Sequence, residues 1–385
     1  MKYYLIAGEA SGDLHGANLM KEIRRCDSQA RFRFWGGDRM AAVGGAANLV
    51  THYKETSFFG ITQVLANLRT ITAQIKRCRR DFMEYRPDVL ILIDYPGFNF
   101  KMAEYAHEHG LKVFYYISPK VWAWKESRVK LIRKYVDRLF IIFPFEIEYF
   151  RRRGVEPVFE GNPLVDAVEQ QMAEIPSREQ FFAQWGLDPA RPVVALLAGS
   201  RRAEIEYNLP LMVRLAARFP DRQFVVAGVS WIERKLYDRM LDGTGVRCVR
   251  DCTYPLLAYA EAAVVTSGTA TLETALIGTP EVVFYRTNRF TIAAGRLLLK
   301  IPFISLVNLI MGCEVVREII QSGLGVEEAE AELRSVLEGG SQRARMLSDY
   351  EVLRRKVGGS GASARFARRM VDELRGAVGG QTPDK

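Results

Sequence analysis

The sequence is poor in the residues that build disulfide frameworks and metal centres. Its five cysteines stand at positions 26, 78, 248, 252 and 313. This scattered, odd-numbered set is typical of reduced, mostly buried thiols in the cytosol. Cys248 and Cys252 have no second pair to complete a zinc-binding pattern, and the four histidines form no ligand pattern. We therefore expect neither a disulfide scaffold nor a metal centre.

Long apolar runs and nucleotide-binding signatures are missing as well. No run approaches the length of a membrane-spanning helix, and Met1 leads directly into a strand and a glycine loop instead of a signal peptide. The chain has no Asp-x-Asp, so a metal ion that bridges a diphosphate is not indicated. The first glycine loop lacks the G-x-G-x-x-G spacing, which argues against a dinucleotide site.

The chain does have length, apolar content and positive charge. With 385 residues, of which 48% are hydrophobic, it is long enough for two globular domains. The net charge is +9. Residues 1–160 hold 26 Lys and Arg against 18 Asp and Glu, while the remainder holds 28 against 27. A basic amino-terminal half suits a phospholipid surface, a phosphorylated substrate or nucleic acid, and a solvated surface without a partner is the alternative.

Short apolar runs alternate with helical patterns along the chain. Strands are predicted at 3–7, 89–94, 112–117, 138–142, 158–159, 193–198, 223–227, 246–249, 262–265 and 281–285. This alternation predicts an α/β protein of two Rossmann-like, doubly wound domains that face a cleft. The domains are placed at 1–167 and 168–344. The C-terminal segment of about 345–378, with a helix at about 363–375, is expected to pack back onto the first domain.

The window from Thr266 to Pro280 is the most informative stretch. A buried strand at 262–265 runs into the turn Ser267-Gly268-Thr269, and a helix follows. The free N–H groups of its first turn favour an anion, and Glu273, one turn further on, is well placed to accept ribose hydroxyls. The alternative is a turn capped by Thr269, with Glu273 only complementing the helix dipole.

A second cradle of the same kind opens the second half of the chain. The strand at 193–198 is followed by Gly199-Ser200-Arg201 and then by a helix from about Glu204. Backbone N–H groups at such a turn bind phosphate, and a guanidinium adds a forked pair of donors. The sequence therefore predicts a phosphate contact at this turn.

In the first half, polar residues follow two predicted strands. Glu9, Ser11 and Asp13 lie in the glycine loop after the first strand, where they are expected to face the crevice of a doubly wound sheet. Asp94 closes the near-continuous apolar run at 89–93. An acid there is either a loop cap or a catalytic group, and the apolar flank would raise its pKa and suit it to general-base work.

Residues 57–83 are of another kind. Their apolar positions at 61, 64, 65, 68, 71 and 75 share one helical stripe, and their basic residues are Arg69, Lys76, Arg77, Arg79 and Arg80. Such a segment suits an anionic membrane or an acyl-chain slot, and an ordinary helix packed on the sheet is the alternative. The loop after the strand at 112–117 adds Trp122 and Trp124, which suit either a sugar or lipid platform or core anchoring.

These features converge on a known family. The chain resembles the lipid-A-disaccharide synthases, bacterial inverting glycosyltransferases with two Rossmann-like domains, a fold called GT-B. The stretches that carry the resemblance are Ala7–Asp13, Ile93–Asn99, Tyr116–Trp124, Gly199–Arg201 with Glu204, Ser267–Ala270 with Glu273, and Ser305–Asn308. The first and third are specific to the family, whereas Ser-Gly-Thr is shared by many glycosyltransferases. Family members often have a second Asp where Gly97 stands, and Pro where Val307 stands; Gly97 leaves Asp94 the better candidate base.

The resemblance implies a defined reaction. A 2,3-diacylglucosamine unit would move from UDP to the 6-hydroxyl of 2,3-diacylglucosamine 1-phosphate, giving a β-1,6-linked disaccharide 1-phosphate and UDP. It also implies a cytoplasmic, peripheral position at the inner face of the cytoplasmic membrane, with 57–83 on the anionic surface. No cofactor, no metal and no nucleic-acid partner are expected, and a homodimer stays open.

The site residues follow from the mechanism and the resemblance together. Inversion needs a base on the acceptor hydroxyl and stabilisation of the leaving UDP. Asp94 is the expected base, with Glu9 as runner-up. Arg201 and the helix amino terminus would hold the diphosphate, and Glu273 the ribose. The full donor set is Gly199, Ser200, Arg201, Glu204, Ser267, Gly268, Thr269, Ala270, Glu273 and Asn308, and the acceptor set is Ser11, Gly12, Asp13 and Asn99.

Two rival interpretations stay open at this point. One is another GT-B enzyme on UDP-N-acetylglucosamine, either an undecaprenyl-linked transferase or a 2-epimerase, although an epimerase would not need the basic segment 57–83. The other is a non-catalytic protein that binds anionic membrane or nucleic acid. That interpretation leaves two ligand cradles unexplained, and the chain lacks the aromatic and basic strand motif of an RNA-recognition sheet.

Overall fold

A computed structural model describes residues 1–55, 68–123, 126–285, 302–320 and 326–376. The chain divides into two compact units. The first comprises Met1–Pro163 and the C-terminal segment from Gly359, and the second comprises Leu164–Gly358. Each unit has its own parallel sheet with helices packed on it.

Among the described residues of the first unit, seven strands form the sheet: β1 Lys2–Ala7, β2 Arg31–Gly36, β3 Leu49–His52, β4 Val89–Ile93, β5 Lys112–Tyr116, β6 Arg138–Ile141 and β7 Pro157–Phe159. Their order is β3-β2-β1-β4-β5-β6-β7, and all pairs are parallel. Every residue of β4 is buried, as expected for a central parallel strand covered on both faces. The winding reverses between β1 and β4, and such a switch point opens a crevice at the carboxyl ends of the strands.

In the described part of the second unit, six parallel strands repeat the same plan: β8 Val193–Leu197, β9 Gln223–Gly228, β10 Arg247–Arg250, β11 Ala262–Thr266, β12 Glu281–Tyr285 and β13 Glu318–Ile320. Their order is β10-β9-β8-β11-β12-β13. The switch point therefore lies between β8 and β11, which pair directly from Ala262 with Val194 to Val265 with Leu197. The prediction of two doubly wound α/β domains is confirmed.

The helices in chain order are α1 Ala10–Cys26, α2 Asp38–Gly44, α3 Leu68–Tyr85, α4 Pro96–Glu108, α5 Val129–Tyr135, α6 Phe145–Arg151, α7 Pro163–Met172, α8 Arg178–Trp185, α9 Arg202–Ala216, α10 Arg234–Leu241, α11 Thr253–Tyr259, α12 Thr269–Ile277, α13 Leu306–Met311, α14 Val326–Val336, α15 Arg343–Val357 and α16 Ala362–Leu374. Within each unit, helices lie between successive parallel strands, because a parallel pair needs a crossover. Helices α7 and α8 lie between the two sheets in sequence, and α14 to α16 follow the last strand. Short 3₁₀ turns lie at 46–48, 53–55 and 126–128.

The division between the units differs in detail from the expected one. It falls at 163/164 instead of 167/168, and α15 stays with the second unit although it lies in the segment 345–378. Helix α16 returns to the first unit. There the ring of Phe366 packs edge-on against Tyr116, and the Arg138 guanidinium pairs with the Glu373 carboxylate at 2.5 Å. The glycines at 358, 359 and 361 lie between α15 and α16 and interrupt the helical pattern of the sequence there.

The basic segment at 57–83 is described only from residue 68, so the amino-terminal part of its predicted stripe lies outside the described residues. The inner face of α3 is packed: Cys78 and Phe82 are buried in the core of the first unit, and Ile75 lies against it. The Arg77 guanidinium donates to the Val50 carbonyl at 2.7 Å. The side chains of Arg69, Lys76 and Arg80 are exposed. In its described part, α3 is thus an amphipathic helix that packs on the sheet and presents a basic outer face.

Candidate active site

Predicted site residues follow the strands that meet at each switch point. In the first unit, Glu9 follows β1 and Asp94 follows β4, and these strands pair up to Ala7 and Ile93. In the second unit, residues 199–201 follow β8 and residues 267–269 follow β11. Since the carboxyl ends of neighbouring parallel strands meet at one edge of a sheet, each pair of loops lines one crevice.

The Asp94 carboxyl group in the first crevice has a raised pKa. Burial raises its pKa, and the negative charge of Glu9 raises it further, while Lys120 and the N–H of Tyr95 act in the opposite direction; the resulting pKa is about 6. Such a carboxyl is ionised at neutral pH and yet more basic than an exposed aspartate. It is therefore suited to take a proton from a hydroxyl group.

Glu9 is the partner of Asp94 in this crevice. It is the residue before α1, its side chain is partly exposed, and Ser11 Oγ donates to its Oε1 at 2.7 Å. The hydrogen bond keeps the Glu9 carboxylate at the mouth of the glycine loop. The crevice thus brings together Glu9 and Asp94, the two residues that the sequence predicted as candidate bases.

The backbone around Asp94 is held in an unusual conformation. The φ angles of Asp94 and Tyr95 are 43° and 47°, and that of Ile117, after β5, is 65°. Left-handed values are rare for residues other than glycine and cluster at functional sites. The turn is stabilised by two donors to the Asp94 carbonyl, Asn99 Nδ2 at 2.7 Å and the Tyr115 hydroxyl at 2.6 Å, and by the Asp94 N–H bond to Ile117.

Small residues shape the glycine loop after β1. A Cβ added to Gly8 would lie 2.2 Å from Cγ of the Tyr95 ring, and one added to Gly12 would lie 3.1 Å from the Ala7 Cβ. Glycine at these positions lets the loop lie directly against β1 and against the turn that carries Asp94.

Two members of the predicted acceptor set are buried and hydrogen-bond to backbone groups of the protein. Asp13 is 3% exposed, and its carboxylate accepts the N–H groups of Gly37, Arg39 and Met40 at 2.6–3.1 Å. Asn99 is fully buried and holds the Asp94 carbonyl. Both side chains position backbone groups of the crevice, and their direct contact with the acceptor stays a prediction.

Sequence reasoning missed Glu146, which lies under the aromatic loop after β5. Its carboxyl group is 1% exposed and accepts bonds from Trp122 Nε1 and from the Phe143 N–H, both at 3.1 Å. Burial raises its pKa to about 8 against these hydrogen bonds and the charge of Lys120. Glu146 therefore ties the loops after β5 and β6 together and orients Trp122. Trp124 lies outside the described residues.

In the second unit, the turn Gly199-Ser200-Arg201 is shaped by Glu204. The Glu204 carboxylate folds back and accepts the N–H groups of Ser200 at 3.0 Å and Arg201 at 3.2 Å. Gly199 has a φ of 117°, and a Cβ there would lie 2.6 Å from the Glu204 Cβ. Glu204 is thus a positioning residue, whereas the Arg201 side chain, 68% exposed, remains within reach of a ligand.

The turn after β11 presents an open helix amino terminus. Ser267 is held from below, because its Oγ donates to the Ile304 carbonyl and its N–H to the Phe284 carbonyl. Gly268 and Thr269 are exposed, and in the described part of the chain no heavy atom beyond the two chain neighbours of Gly268 lies within 4 Å of a Cβ built on it. An anion therefore has room to approach the first N–H groups of α12.

One turn further along α12, Glu273 is partly exposed. Its Oε1 accepts the Tyr254 hydroxyl at 2.8 Å. Burial raises the pKa of Glu273, while the bond from Tyr254 lowers it. Ala270, between the turn and Glu273, is also partly exposed. The face of α12 that holds these two residues thus runs from the anion-binding end of the helix to an oriented carboxylate that suits sugar hydroxyls.

Asn308, a member of the predicted donor set, uses its side-chain amide inside the second unit. It is fully buried, its Nδ2 donates to the Val316 carbonyl and to Glu318, and its Oδ1 accepts the N–H groups of Val315 and Val316. All four hydrogen-bonding positions of the amide are therefore filled. Asn308 positions the segment that leads into β13, and its contact with the donor stays a prediction.

The described residues offer neither a metal-binding cluster nor a membrane-spanning helix. They contain no cluster of three or more His, Cys, Asp or Glu side chains that would hold a metal ion. None of the described helices combines the length and apolar character needed to cross a bilayer.

Comparison with known proteins gives full-length relatives. A family model described as Lipid-A-disaccharide synthetase matches residues 3–365. The lipid-A-disaccharide synthase of Geobacter sulfurreducens is 37% identical over 96% of this chain and 96% of its own length. That of Syntrophus aciditrophicus is 38% identical over 94% of this chain and 95% of its own length.

Solved structures support the fold. The UDP-GlcNAc 2-epimerase of Neisseria meningitidis, bound to UDP-GlcNAc, superposes with a TM-score of 0.58 over 97% of this chain and 99% of its own. Its identity of 12% makes this a likeness of fold alone. The fold class is the two-domain α/β architecture expected from the sequence, and the chain belongs to the lipid-A-disaccharide synthase family.

Proposed function

We propose that this protein joins UDP-2,3-diacylglucosamine to 2,3-diacylglucosamine 1-phosphate and releases UDP, forming the β-1,6-linked disaccharide 1-phosphate of lipid A biosynthesis. The family match over residues 3–365 supports this activity. The structural observation that carries it is the pair Glu9 and Asp94 at the first switch point, with a pKa of about 6 at Asp94.

The acceptor chemistry belongs to the first unit. Asp94 takes the proton of the acceptor 6-hydroxyl as that oxygen attacks the anomeric carbon of the donor sugar. The bond from that carbon to the UDP oxygen breaks, and its electron pair leaves with UDP, so attack from the opposite side inverts the configuration. Glu9 keeps the Asp94 pKa high through its negative charge, and Asn99 keeps the carboxylate in place through the backbone.

The donor site belongs to the second unit. The Arg201 guanidinium and the first N–H groups of α12 bind the diphosphate and stabilise the negative charge that develops as UDP leaves. Glu273, oriented by Tyr254, accepts the ribose hydroxyls. Gly199, Ser200 and Glu204 give the first turn its shape. No metal ion is assigned a step.

The basic face of α3 suits a place on an anionic membrane surface, where both acylated substrates would be found. The side chains of Arg69, Lys76 and Arg80 are exposed and lie outside the face of the helix that packs on the core. Peripheral association through this face would bring the first unit to its lipid substrate without a membrane-spanning segment.

A product assay tests the proposal. The purified protein is mixed with UDP-2,3-diacylglucosamine and 2,3-diacylglucosamine 1-phosphate in the presence of a chelator, and products are identified by mass spectrometry. We expect the disaccharide 1-phosphate and UDP in equal amounts. Failure to form the disaccharide, together with epimerised product from UDP-N-acetylglucosamine, would instead support the 2-epimerase alternative. Activity that returns only with added divalent cation would contradict metal independence.

A further inference from the structure

The most exposed large apolar side chain of the described residues is that of Trp231, at 68%. It lies in the loop after β9, the strand next to β8 in the second sheet. The carboxyl ends of these strands form the edge that also carries the turn of residues 199–201. Because water-exposed indole forgoes the stabilisation that burial of so large an apolar surface provides, its placement beside a ligand crevice points to a ligand.

Trp231 is anchored to the donor turn by one edge only. Its Nε1–H donates to the Ser200 carbonyl at 2.9 Å. That bond fixes the five-membered ring edge against the turn that precedes Arg201, while most of the ring surface stays in solvent. The indole is thereby oriented without being covered.

The loop that carries Trp231 is itself held firmly. The Arg250 guanidinium donates to the carbonyls of Val229, Ser230 and Ile232 at 2.8–3.1 Å. Asp251 accepts the Ser230 N–H at 2.9 Å. The loops after β8, β9 and β10 are therefore linked by hydrogen bonds on both sides of the indole. A ring that is already oriented loses little conformational freedom when a flat ligand stacks on it.

We infer that Trp231 is a stacking platform for the pyrimidine base of UDP. The inference rests on the proposed function and adds a specificity-determining residue to it. With the diphosphate at Arg201 and the amino terminus of α12, the base lies one ribose away at the same edge of the sheet. An indole face is a suitable partner because stacking on an aromatic side chain is a general source of affinity for nucleobases.

Calorimetric titrations with UDP and with pyrophosphate test this role in three variants. Trp231→Ala removes the ring, Trp231→Phe keeps an aromatic face but removes the Nε1–H bond to Ser200, and Tyr207→Ala removes another exposed aromatic residue of the same unit as a control. We expect Trp231→Ala to bind UDP about tenfold more weakly than wild type. Trp231→Phe should lose less affinity for UDP than Trp231→Ala, because it keeps a ring face without the anchoring bond. Tyr207→Ala should stay close to wild type, and pyrophosphate affinity should be the same in all four proteins.

Four results would overturn the inference. Equal losses in Trp231→Ala and Trp231→Phe would show that the hydrogen bond to Ser200 matters and the ring face does not. Weaker binding of UDP-2,3-diacylglucosamine with unchanged binding of UDP would assign the indole to the sugar. Unchanged UDP affinity in Trp231→Ala would remove the residue from the site while the proposed function stands. Wild-type protein that fails to bind UDP would overturn both proposals together.

Discussion

The side-chain amide of Asn99 donates a hydrogen bond of 2.7 Å to the backbone carbonyl of Asp94. Asn99 is fully buried in the first turn of α4. Asp94 has a left-handed backbone conformation and directly precedes Tyr95, the N-cap residue of that helix. A buried amide therefore stabilises the strained turn that presents the proposed base, and the geometry of the carboxylate depends on a residue that does not touch substrate.

Replacing Asn99 by Ala should lower kcat by about tenfold or more, because a small displacement of a catalytic group is costly. The KM for the donor should change little, since the donor residues lie in the other unit. Steady-state kinetics with each substrate varied in turn would separate the two effects. Asn48→Ala removes a similar side-chain bond to a backbone carbonyl, that of Gly44, and serves as the control. A variant in which only the KM for the donor rises, with kcat unchanged, would contradict the positioning role.

Asp94→Asn should nearly abolish turnover while the affinity for UDP stays normal. The same change should stabilise the fold by about 3 kcal/mol at pH 7.5, because a carboxyl whose folded pKa is raised from 3.8 to about 6 is destabilising when ionised. The gain should shrink as pH falls through 6 and vanish below 4, where the carboxyl is protonated in both the folded and the unfolded chain. Thermal unfolding across this range is the measurement. If Glu9→Gln abolished turnover and Asp94→Asn retained it, Glu9 would be the base instead of Asp94.

The pH profile provides an independent check on the base. Since the ionised form of Asp94 is required, kcat/KM should fall about tenfold per pH unit below pH 6 and level off above 7. Glu9→Gln removes a negative charge and should move this acidic limb of the pH profile to lower pH. Lys120→Met removes a positive charge and should move it to higher pH. A limb that stays in place in both variants would mean that another group titrates.

Arg201→Ala should weaken UDP binding by roughly ten- to a hundredfold, because a charge-assisted bond to the diphosphate is lost. The neighbouring Arg202→Ala is a matched control, since Arg202 pairs with Glu206 on the helix surface at 3.0 Å. Calorimetry with UDP compares the two proteins. Similar affinities for both variants would remove Arg201 from the diphosphate site.

Charge reversal on the outer face of α3 tests membrane association. Lys76→Glu combined with Arg80→Glu should reduce binding to phosphatidylglycerol vesicles by at least about tenfold, since each basic residue near such a surface contributes about 1 kcal/mol. Lys235→Glu with Arg239→Glu on α10 gives the same net charge and the same spacing in the second unit. Equal sedimentation of the two double variants would indicate that α3 does not contact the membrane.

Much of the architecture was accessible from the pattern of residues. All the strands predicted from apolar runs lie in the two sheets, since central parallel strands such as β4 are buried on both faces and read as continuous apolar segments. Strands β2, β3 and β13 were not predicted. Strand β2 alternates Arg and Phe at its start, β3 has four residues and β13 three, so each depends on its neighbours for pairing and shows little pattern of its own.

The site was less predictable than the fold. A residue after a strand can turn toward the crevice or back into the protein, and the sequence does not distinguish the two. Asp13, Asn99, Glu204 and Asn308 were all predicted to contact substrate, yet each satisfies nearby backbone groups. Glu146 was overlooked because an isolated acid in an aromatic segment carries no motif.

The sequence by itself determined which strands are buried on both faces and which glycine turns follow them, because apolar periodicity and turn chemistry are local properties. The tertiary structure decided which polar side chains stay available to a ligand. That choice depends on the backbone N–H and carbonyl groups that neighbouring loops bring within hydrogen-bonding distance. It also depends on burial and on the like charge of Glu9, which together raise the pKa of Asp94.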